Sequence, residues 1–353
     1  MSLVLIEMKL KKQSNGVSIM RIIIDAMGGD NAPGEIVKGA LAAIEEYEAD
    51  ILLVGDKERI EEIAGKNLGH RVEICHTDKI LTMKDEPLSI LYEKSNTSMG
   101  LALKLLKENE GNALVSSGNT GALLVGSSII VGCMPGIKRP ALGALIPFSN
   151  KTLLIDAGAN LEVSPENFKV SPENFKQFAI MGSIYMDKFI GRKNPTVRLA
   201  NIGEEENIGT PLLKEVYKLL KECKMINFVG NIEGNKMPTH CSDILLADGF
   251  TGNIILKLTE GFRTYIKDML KEALTNDVFS KIETLAEKSS FKKTYSLFDP
   301  EYDAAPFFGI KRLVLKTRGN AHAEHIKSAV RQALFLLKSD FTDEIERQLQ
   351  DKK

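Results

Sequence analysis

Short runs of aliphatic and β-branched residues recur along the chain, and most are followed by a polar, glycine-containing loop and then by an amphipathic stretch. The apolar runs predict buried strands, and apolar residues spaced three and four apart predict helices. The predicted strands are 21–24, 51–54, 72–75, 113–115, 141–148, 152–155, 197–200, 227–230, 244–247 and 313–315; the predicted helices include 35–46, one ending near 64, 254–274, 278–288 and 324–337. Strands alternating with helices favour an α/β fold with a mostly parallel sheet.

Polar residues and glycines cluster where these strands end. In an open parallel sheet, ligands bind beyond the carboxyl ends of the strands, so we expect the loops there to line a cleft. The expected cleft-lining residues are Asp25, Gly28, Gly29, Asp30, Asn31, Asp156, Asn201, Asn231, Glu233 and Asp248. Each aspartate taken alone is better explained as an Asx-turn or a helix N-cap than as part of a site. Their common position at strand ends favours a site.

The stretch from Leu114 to Gly126 reads as strand, small-residue loop and helix. Its glycines can adopt positive φ and let an anion approach the backbone, and the following helix adds unpaired N–H groups. We therefore predict a phosphate-binding loop. The expected phosphate ligands are Ser117, Gly118, Asn119, Thr120 and Gly121, together with Arg139. The alternative is a tight turn in which Asn119 or Thr120 is only the N-cap of the helix.

The two helices predicted between residues 252 and about 290 form a hairpin whose turn is densely apolar. In one interpretation the hairpin projects and its tip dips into a membrane surface. The tip residues would be Leu270, Leu274, Val278 and Phe279. In the other interpretation, these side chains bury one another or pack against a partner subunit.

The composition bounds the class of protein. The 353 residues are 43% hydrophobic and 26% charged, with a net charge of −1, which gives no general attraction for nucleic acid. Four scattered cysteines fit reduced, buried thiols in a cytoplasmic protein. No apolar run is long enough to span a bilayer. We expect an extension at residues 1–19, one catalytic domain at 20–338, and a charged, frayed tail at 339–353.

Several common catalytic motifs are missing. No G-x-G-x-x-G, Walker A, H-E-x-x-H or G-x-S-x-G pattern occurs, so we expect neither a nucleotide cofactor nor a metal. His322 and His325 stand three apart, and a surface helix explains them better than a metal site. A heptad is repeated in tandem at 163–169 and 170–176; the second copy should start a helix, with Ser171 as N-cap and Pro172 at its first position.

Six motifs together point to a family. They are Asp25-Ala-Met-Gly-Gly-Asp30, Ser117-Gly-Asn-Thr-Gly-Ala122, Ile137-Lys-Arg-Pro-Ala-Leu142, Asp156-Ala-Gly-Ala-Asn160, Gly230-Asn-Ile-Glu-Gly234 and Asp248-Gly-Phe-Thr-Gly-Asn253. In this order they resemble the bacterial acyl-ACP:phosphate acyltransferases, the PlsX family. The resemblance implies a homodimeric three-layer α/β/α enzyme, similar in fold to isopropylmalate dehydrogenase and phosphotransacetylase. It also implies transfer of a fatty acyl group from acyl carrier protein to inorganic phosphate, giving an acyl phosphate for phospholipid synthesis. By the same resemblance, the next enzyme is an acyltransferase in the membrane.

Such a reaction needs little help from a side-chain nucleophile, because phosphate itself is anionic and the leaving thiol has a pKa of roughly 8.5. The protein must hold phosphate and stabilise an oxyanion. The candidate catalytic residues are Lys94, Asn119, Asn160 and Asn253, with Lys94 and Arg139 neutralising phosphate unless they are ordinary surface charges. A basic cluster could meet the acidic carrier protein, although ordinary surface charge is the commoner explanation; it consists of Lys311, Arg312, Lys316 and Arg318.

Two other functions stay open at this point. A decarboxylating dehydrogenase of the same fold group would need metal-binding aspartates on a helix, which the sequence does not offer. A noncatalytic carrier-binding or membrane scaffold could use the same basic cluster and amphipathic hairpin. We expect a cytoplasmic protein that associates peripherally with the membrane.

Overall fold

The computed structural model describes residues 19–148, 151–160, 170–275 and 304–350. The chain divides into two units. The first combines the residues before Gly136 with those after Gly309, and the second is Gly136–Gly309. Within the described ranges, no helix is both long enough and apolar enough to cross a membrane.

The first unit contains a fully parallel five-stranded sheet. Its strands are β1 (Arg21–Asp25), β2 (Asp50–Gly55), β3 (Val72–His76), β4 (Ala113–Ser116) and β11 (Leu313–Lys316), in the order β3-β2-β1-β4-β11. The central strand β1 is apolar throughout its middle, and Ile22, Ile23 and Ile24 are fully buried. Such continuous apolar runs are typical of parallel strands covered on both faces.

Helices connect these strands. They are α1 (Gly34–Glu46), α2 (Lys57–Ala64), α3 (Ser98–Lys107), α4 (Thr120–Gly126), α9 (Ala323–Lys338) and α10 (Phe341–Gln350), with a 3₁₀ turn at Pro87–Leu91 and a π-helix at Ser127–Gly132 that continues α4. Helices α1 and α9 pack closely at Gly39, where a Cβ atom would lie 2.4 Å from the carbonyl oxygen of Ala323.

The prediction of a frayed tail at 339–353 is wrong for the described residues of that segment. Residues Phe341–Gln350 form a helix, and the side chains of Phe341 and Ile345 are buried. Charged residues dominate the sequence there, but two apolar side chains four positions apart are enough to attach one face of the helix.

The second unit contains a mixed sheet. Its strands are β5 (Ala141–Ile146), β6 (Thr152–Ile155), β7 (Thr196–Asn201), β8 (Asn227–Glu233), β9 (Ile244–Leu246) and β10 (Ala305–Phe308), in the order β10-β5-β6-β9-β7-β8. The β10/β5 and β5/β6 pairs are antiparallel and the remaining pairs are parallel. The mostly parallel α/β fold is confirmed, and β10 is the strand that the sequence did not predict.

The described helices of the second unit are α5 (Pro172–Lys188), α6 (Pro211–Glu222), α7 (Met237–His240) and α8 (Gly249–Thr275). The predicted start of α5 is confirmed, because Ser171 is its N-cap and Pro172 its first residue. The backbone N–H and the hydroxyl of Ser171 both donate to Asn174 Oδ1, at 2.9 Å each.

Several predictions lie outside the described residues. They are the extension at 1–18, the first heptad copy at 163–169, the second hairpin helix at 278–288, and the tip residues Val278 and Phe279. Leu270 and Leu274 lie on α8, but the placement of their side chains is likewise outside what the structure describes.

Candidate active site

The first unit carries a buried carboxylate at the end of β1. Asp25 is 1% exposed, and its two carboxylate oxygens accept hydrogen bonds from Ser98 Oγ at 2.6 Å and from Ser116 Oγ at 2.8 Å. Burial raises the pKa of Asp25, while these hydroxyl groups, the Met27 N–H and the positive charge of Lys316 act against the rise. Ser98 and Ser116 were not among the predicted site residues.

The loop after β4 packs directly on this carboxylate. The Gly118 N–H donates to Ser116 Oγ at 3.1 Å, and Ser117 Oγ lies 2.5 Å from Thr317 Oγ1. A Cβ atom on Gly118 would lie 2.5 Å from Met99 Cε and 3.3 Å from Asp25 Oδ2. A glycine at position 118 therefore avoids close contacts that a larger residue would make with these two side chains.

Gly118 and Gly121 do not use the freedom of glycine to adopt a positive φ. Neither glycine is among the described residues with positive φ. At Gly121 also the reason for glycine is space, because a Cβ atom would lie 2.7 Å from Pro87 Cγ.

Asn119 is the N-cap of α4. Its Oδ1 accepts from the Ala122 N–H at 3.0 Å, and its Nδ2 donates to the carbonyls of Met83 at 3.3 Å and Asp85 at 3.2 Å. The capping interpretation thus describes what this side chain does in the structure. The amides of Thr120 and Gly121 stand at the first two helical positions, where an N–H has no partner within the helix itself. They are the donors that the loop offers to an anion.

Lys94 pairs with Asp85, the residue whose carbonyl accepts from Asn119. Its ammonium is 3.3 Å from Asp85 Oδ1, and its side chain is about one-third exposed. Hydrogen bonds from Thr82, and then from Lys94, lower the pKa of Asp85. Asp85 therefore links Lys94 to the loop, because its carboxylate pairs with the lysine and its carbonyl accepts from Asn119.

The segment after β1 contacts the residues that follow β11. The Asp30 N–H donates to the Gly319 carbonyl at 2.7 Å, and Asn31 Nδ2 donates to the carbonyls of the next two residues, at 3.2 and 3.1 Å. Gly29 has a φ of 101°, and a Cβ atom there would lie 2.8 Å from the Gly319 carbonyl oxygen. Gly28 is equally confined, because its Cβ would lie 2.4 Å from Asp25 Oδ2.

Lys316 does not belong to a surface cluster. It is the last residue of β11 and is 7% exposed, whereas Lys311 and Arg312 are exposed. Its Nζ donates to the Ser117 carbonyl at 3.2 Å and to the Thr317 carbonyl. The predicted basic cluster is corrected accordingly.

The second unit has its own buried carboxylate, at the end of β6. Asp156 is 0% exposed and accepts backbone hydrogen bonds from Leu142, Gly158 and Ala159, at 3.1, 3.1 and 2.9 Å. Asn160 adds its backbone N–H at 2.7 Å and its Nδ2 at 2.8 Å. Burial raises the pKa of Asp156, and the hydrogen bonds act against the rise.

Asn160 links this carboxylate to Arg139. Its Nδ2 also donates to the Pro140 carbonyl at 2.8 Å, and its Oδ1 accepts from the Arg139 guanidinium at 3.1 Å. Burial lowers the pKa of Arg139, while the charge of Asp156 acts in the opposite direction. Arg139, Asn160 and Asp156 are therefore brought together in the second unit.

The first turn of α8 packs against the same loop. Asp248 caps this turn, because its carboxylate accepts from the Thr251 N–H at 2.9 Å and from the Thr251 hydroxyl at 2.6 Å. A Cβ atom on Gly252 would lie 1.8 Å from the Asp156 carbonyl oxygen. Asn253 faces Gly158, where a Cβ atom would lie 2.5 Å from Asn253 Nδ2.

The polar residues at the ends of β7 and β8 serve a neighbouring loop. Asn201 Nδ2 donates to the Ile208 carbonyl at 3.1 Å, and Asn231 Nδ2 donates to the Glu205 carbonyl at 2.9 Å. Asn231 Oδ1 is buried without a hydrogen-bond partner. Glu233 pairs with an exposed lysine at 3.5 Å. The two asparagines therefore attach the segment containing Glu205 and Ile208 to the ends of β7 and β8.

The cysteines and histidines have structural explanations. Cys75 is buried and the other three thiols are half-buried, which corrects the expectation that all four are core residues. Burial raises the pKa of Cys75, Cys133 and Cys241. The His322 N–H donates to Nδ1 of His325 at the start of α9, at 3.0 Å. Across the described part of the chain, no group of three or more His, Cys, Asp or Glu residues could hold a metal ion.

The chain resembles known proteins over most of its length. The family described as fatty acid synthesis protein matches residues 20–344. The phosphate acyltransferase of Alkaliphilus oremlandii is 42% identical over 319 residues, which cover 89% of this chain and 93% of that protein. The phosphate acyltransferase of Clostridioides difficile is 39% identical over 331 residues, covering 92% and 95%.

Among solved structures, a phosphotransacetylase from Streptococcus pyogenes matches with a TM-score of 0.57 at 13% identity, covering 97% of this chain and 100% of that one. At this identity the likeness shows the fold alone. The sequence relatives and the family match decide the assignment: the chain belongs to the fatty acid synthesis protein family, the PlsX family that its six motifs resemble.

Proposed function

We propose that this protein transfers a fatty acyl group from the thioester of acyl carrier protein to inorganic phosphate. The observation that carries the proposal is the family membership, since relatives covered over more than nine-tenths of their length are named phosphate acyltransferase. The polar strand ends of the first unit fit this activity, because they combine a glycine-containing loop, a helix start and a buried lysine.

The chemistry is a direct displacement. A phosphate oxygen attacks the thioester carbonyl carbon, a C–O bond forms, and the tetrahedral intermediate collapses with cleavage of the C–S bond. The sulfur leaves with the bonding electron pair and takes up a proton, so the products are an acyl phosphate and the carrier thiol. Burial raises the pKa of the half-buried thiols Cys133 and Cys241, which lowers the fraction of thiolate that could attack the thioester.

We place the phosphate at the loop from Ser117 to Gly121. Its donors are the backbone N–H groups of Thr120 and Gly121, aided by the positive end of the helix that follows. Lys94 supplies positive charge nearby. It pairs with the Asp85 carboxylate, and the Asp85 carbonyl accepts a hydrogen bond from the Asn119 side chain. Asn119 acts here by capping α4 rather than by donating to an oxyanion.

The roles predicted for Arg139, Asn160 and Asn253 stay predictions. Both amide hydrogens of Asn160 already donate, to the Pro140 carbonyl and to Asp156. Asn253 is the better candidate of the two asparagines for an oxyanion donor. An Asn253→Ala variant that keeps full activity and stability would remove it from the list of catalytic residues.

The test of the proposed function uses the full chain, acyl carrier protein loaded with a fatty acyl group, and labelled inorganic phosphate. We expect loss of the thioester that depends on phosphate, one carrier thiol per turnover, and a labelled product that hydroxylamine converts to a hydroxamate. Thioester loss at the same rate without phosphate, or an acyl group trapped on a protein side chain and competent for turnover, would contradict the proposal.

We also propose that the protein acts as a homodimer that attaches reversibly to the membrane surface, where a poorly soluble acyl phosphate is best released. Large apolar side chains are exposed at three- and four-residue intervals along α8, which supports a partner for this face. These side chains are Phe250, Ile254, Leu258, Phe262, Tyr265 and Met269. A face of this kind marks an interaction surface.

Two variants separate the dimer from the membrane. Leu258→Glu with Phe262→Glu alters the exposed face of α8, and Leu274→Glu with Phe279→Glu alters the predicted tip. We expect the first pair to weaken the dimer in analytical ultracentrifugation and the second to abolish flotation with anionic liposomes while leaving dimers intact. Equal flotation of the wild type and the tip variant would leave only packing within the protein or between subunits.

A further inference from the structure

Lys316 is an unusual residue for the interior of a protein. Lysine is almost never fully buried unless its charge is compensated, because removing an ammonium from water is strongly unfavourable. Here the side chain is 7% exposed, and its Nζ donates to the carbonyls of Ser117 and Thr317. The charge of Lys316 also acts on the buried carboxylate of Asp25.

The register of the sheet fixes where this ammonium acts. Lys316 pairs with Ser116 across the parallel β11 and β4 strands, and the Thr317 N–H continues the ladder to the Ser116 carbonyl at 3.0 Å. The hydroxyl groups of Ser117 and Thr317 also meet, at 2.5 Å. The end of β11 is therefore attached to the first residue of the loop by backbone and side-chain contacts alike.

The peptide group between Ser117 and Gly118 is held from both sides. Its carbonyl accepts from Lys316 Nζ, and its N–H donates to Ser116 Oγ, whose own hydroxyl donates to Asp25. A trans peptide is planar, with its C=O and N–H pointing in opposite directions. Fixing both ends therefore fixes the orientation of the whole group, and with it the point from which the chain enters α4.

We propose that Lys316 is a positioning residue for phosphate, acting through the Ser117–Gly118 peptide rather than by touching the substrate. Ser116 holds the opposite end of that peptide and shares the role. The inference rests on the proposed function, since it assumes that phosphate binds at the loop from Ser117 to Gly121. Under this inference, Lys316 and Ser116 both belong to the phosphate site as positioning residues.

The test compares Lys316→Met, which keeps the length of the side chain and removes its charge and its donors, with Lys107→Met at the exposed last residue of α3. Steady-state rates are measured against phosphate at saturating acyl carrier protein thioester. We expect Lys316→Met to raise KM for phosphate about tenfold, the usual effect of losing one hydrogen bond from a charged group, with a smaller change in kcat. Lys107→Met should match the wild type in both parameters.

Ser116→Ala provides the second arm and decides the question if Lys316→Met does not fold. It removes the hydroxyl that holds the Gly118 N–H, so KM for phosphate should rise here as well. A loss of thermal stability with unchanged KM in both variants, or in Ser116→Ala alone if Lys316→Met is unfolded, would mean a purely structural role and overturn the inference. A wild-type protein without phosphate-dependent turnover would instead refute the proposed function.

Discussion

Asp25 and Asp156 are both buried carboxylates at the ends of parallel strands, but they are held in different ways. Asp25 accepts mainly from the hydroxyl groups of Ser98 and Ser116, with a buried lysine nearby. Asp156 accepts from four backbone N–H groups and one side-chain amide, all belonging to Leu142 and residues 158–160. Asp25 is therefore held mainly by hydroxyl groups, which can rotate, and Asp156 mainly by backbone N–H groups, which cannot.

This difference separates two uses of the same residue. A hydroxyl can turn and act as donor or acceptor, so the surroundings of Asp25 can adjust to a change in charge. Backbone N–H groups only donate, so the loop around Asp156 requires an acceptor at its centre. We therefore infer that Asp156 stabilises the conformation of its own loop. Asp25 instead belongs to a hydrogen-bond network that contacts the proposed phosphate loop.

The largest effect should come from the backbone packed on Asp156. In Gly252→Ala the new Cβ would lie 1.8 Å from the Asp156 carbonyl oxygen, and neither group belongs to a flexible side chain. We expect the free energy of unfolding to fall by about 4 kcal/mol or more, the range of severe overpacking. Urea denaturation followed by circular dichroism measures this change.

Gly261→Ala is the matched control, because it lies on the same helix and its Cβ would have no atom within 4 Å. Alanine is the better helix former, so this variant should be more stable than the wild type by about 0.5–1 kcal/mol. Similar stabilities for the two variants would mean that the first turn of α8 does not pack on the loop as described.

Asp156→Asn should have the next largest effect. Asparagine offers one acceptor oxygen where the carboxylate has two, and its NH₂ group would face backbone N–H donors. We expect a loss of about 3 kcal/mol in the free energy of unfolding, since hydrogen bonds to a charged acceptor contribute roughly 1.5–3 kcal/mol each. The same denaturation experiment tests it, and a loss below that of Asp25→Asn would reverse the comparison.

Asp25→Asn should reduce the free energy of unfolding less, by about 1–2 kcal/mol at neutral pH, because both serine hydroxyls can reorient toward an amide. The penalty should depend on pH. The folded-state pKa of Asp25 is raised, so between the ordinary value and the folded value the folded protein binds the proton that the unfolded chain has lost. Stability from this group therefore rises as pH falls through that window.

Since the amide that replaces the carboxyl group does not titrate, the gap between wild type and Asp25→Asn should widen as the pH is lowered from about 7 toward the ordinary aspartate pKa of about 3.9. Denaturation curves of both proteins over this interval provide the measurement. A gap that narrows on acidification would mean that the folded state prefers the ionised carboxylate at this position.

The smallest stability effect should come from Gly118→Ala. The closest atom to the new Cβ is the terminal methyl of Met99, which can turn away, so we expect a loss of about 1 kcal/mol. Under the proposed function, KM for phosphate should nevertheless rise severalfold, because the altered residue is part of the loop. A large loss of stability with an unchanged KM would remove this loop from the phosphate site.

The sequence predicted what depends on local pattern. The apolar runs of β1 and β6 identify buried strands because nearly every residue in them is apolar, and Ser171 with Pro172 identifies the start of α5 because capping chemistry is local. Strand β10 was not predicted, because Pro306 argues against a strand. The strand that pairs with β10 also lies more than a hundred residues earlier in the chain.

The site was predictable in position but not in detail. Strand-end residues were found because the topology of parallel sheets fixes where they lie. The burial of Lys316, the pairing of Ser98 with Asp25 and the steric reason for Gly118 depend on segments distant in sequence. No local pattern distinguishes a buried lysine at a strand end from an exposed one.

The division of the chain also has a consequence for synthesis on the ribosome. The second unit is one continuous segment, Gly136–Gly309, whereas the first needs both ends of the chain, because β11 adds to its sheet beside β4 and α9 packs on α1. Domains fold as units during translation. Gly136–Gly309 can therefore fold while the ribosome is still at work, but the first unit must wait for the last helices to emerge. Until then the β4 edge of its sheet, the strand that leads into the candidate phosphate loop, lacks β11 and is open to wrong pairing.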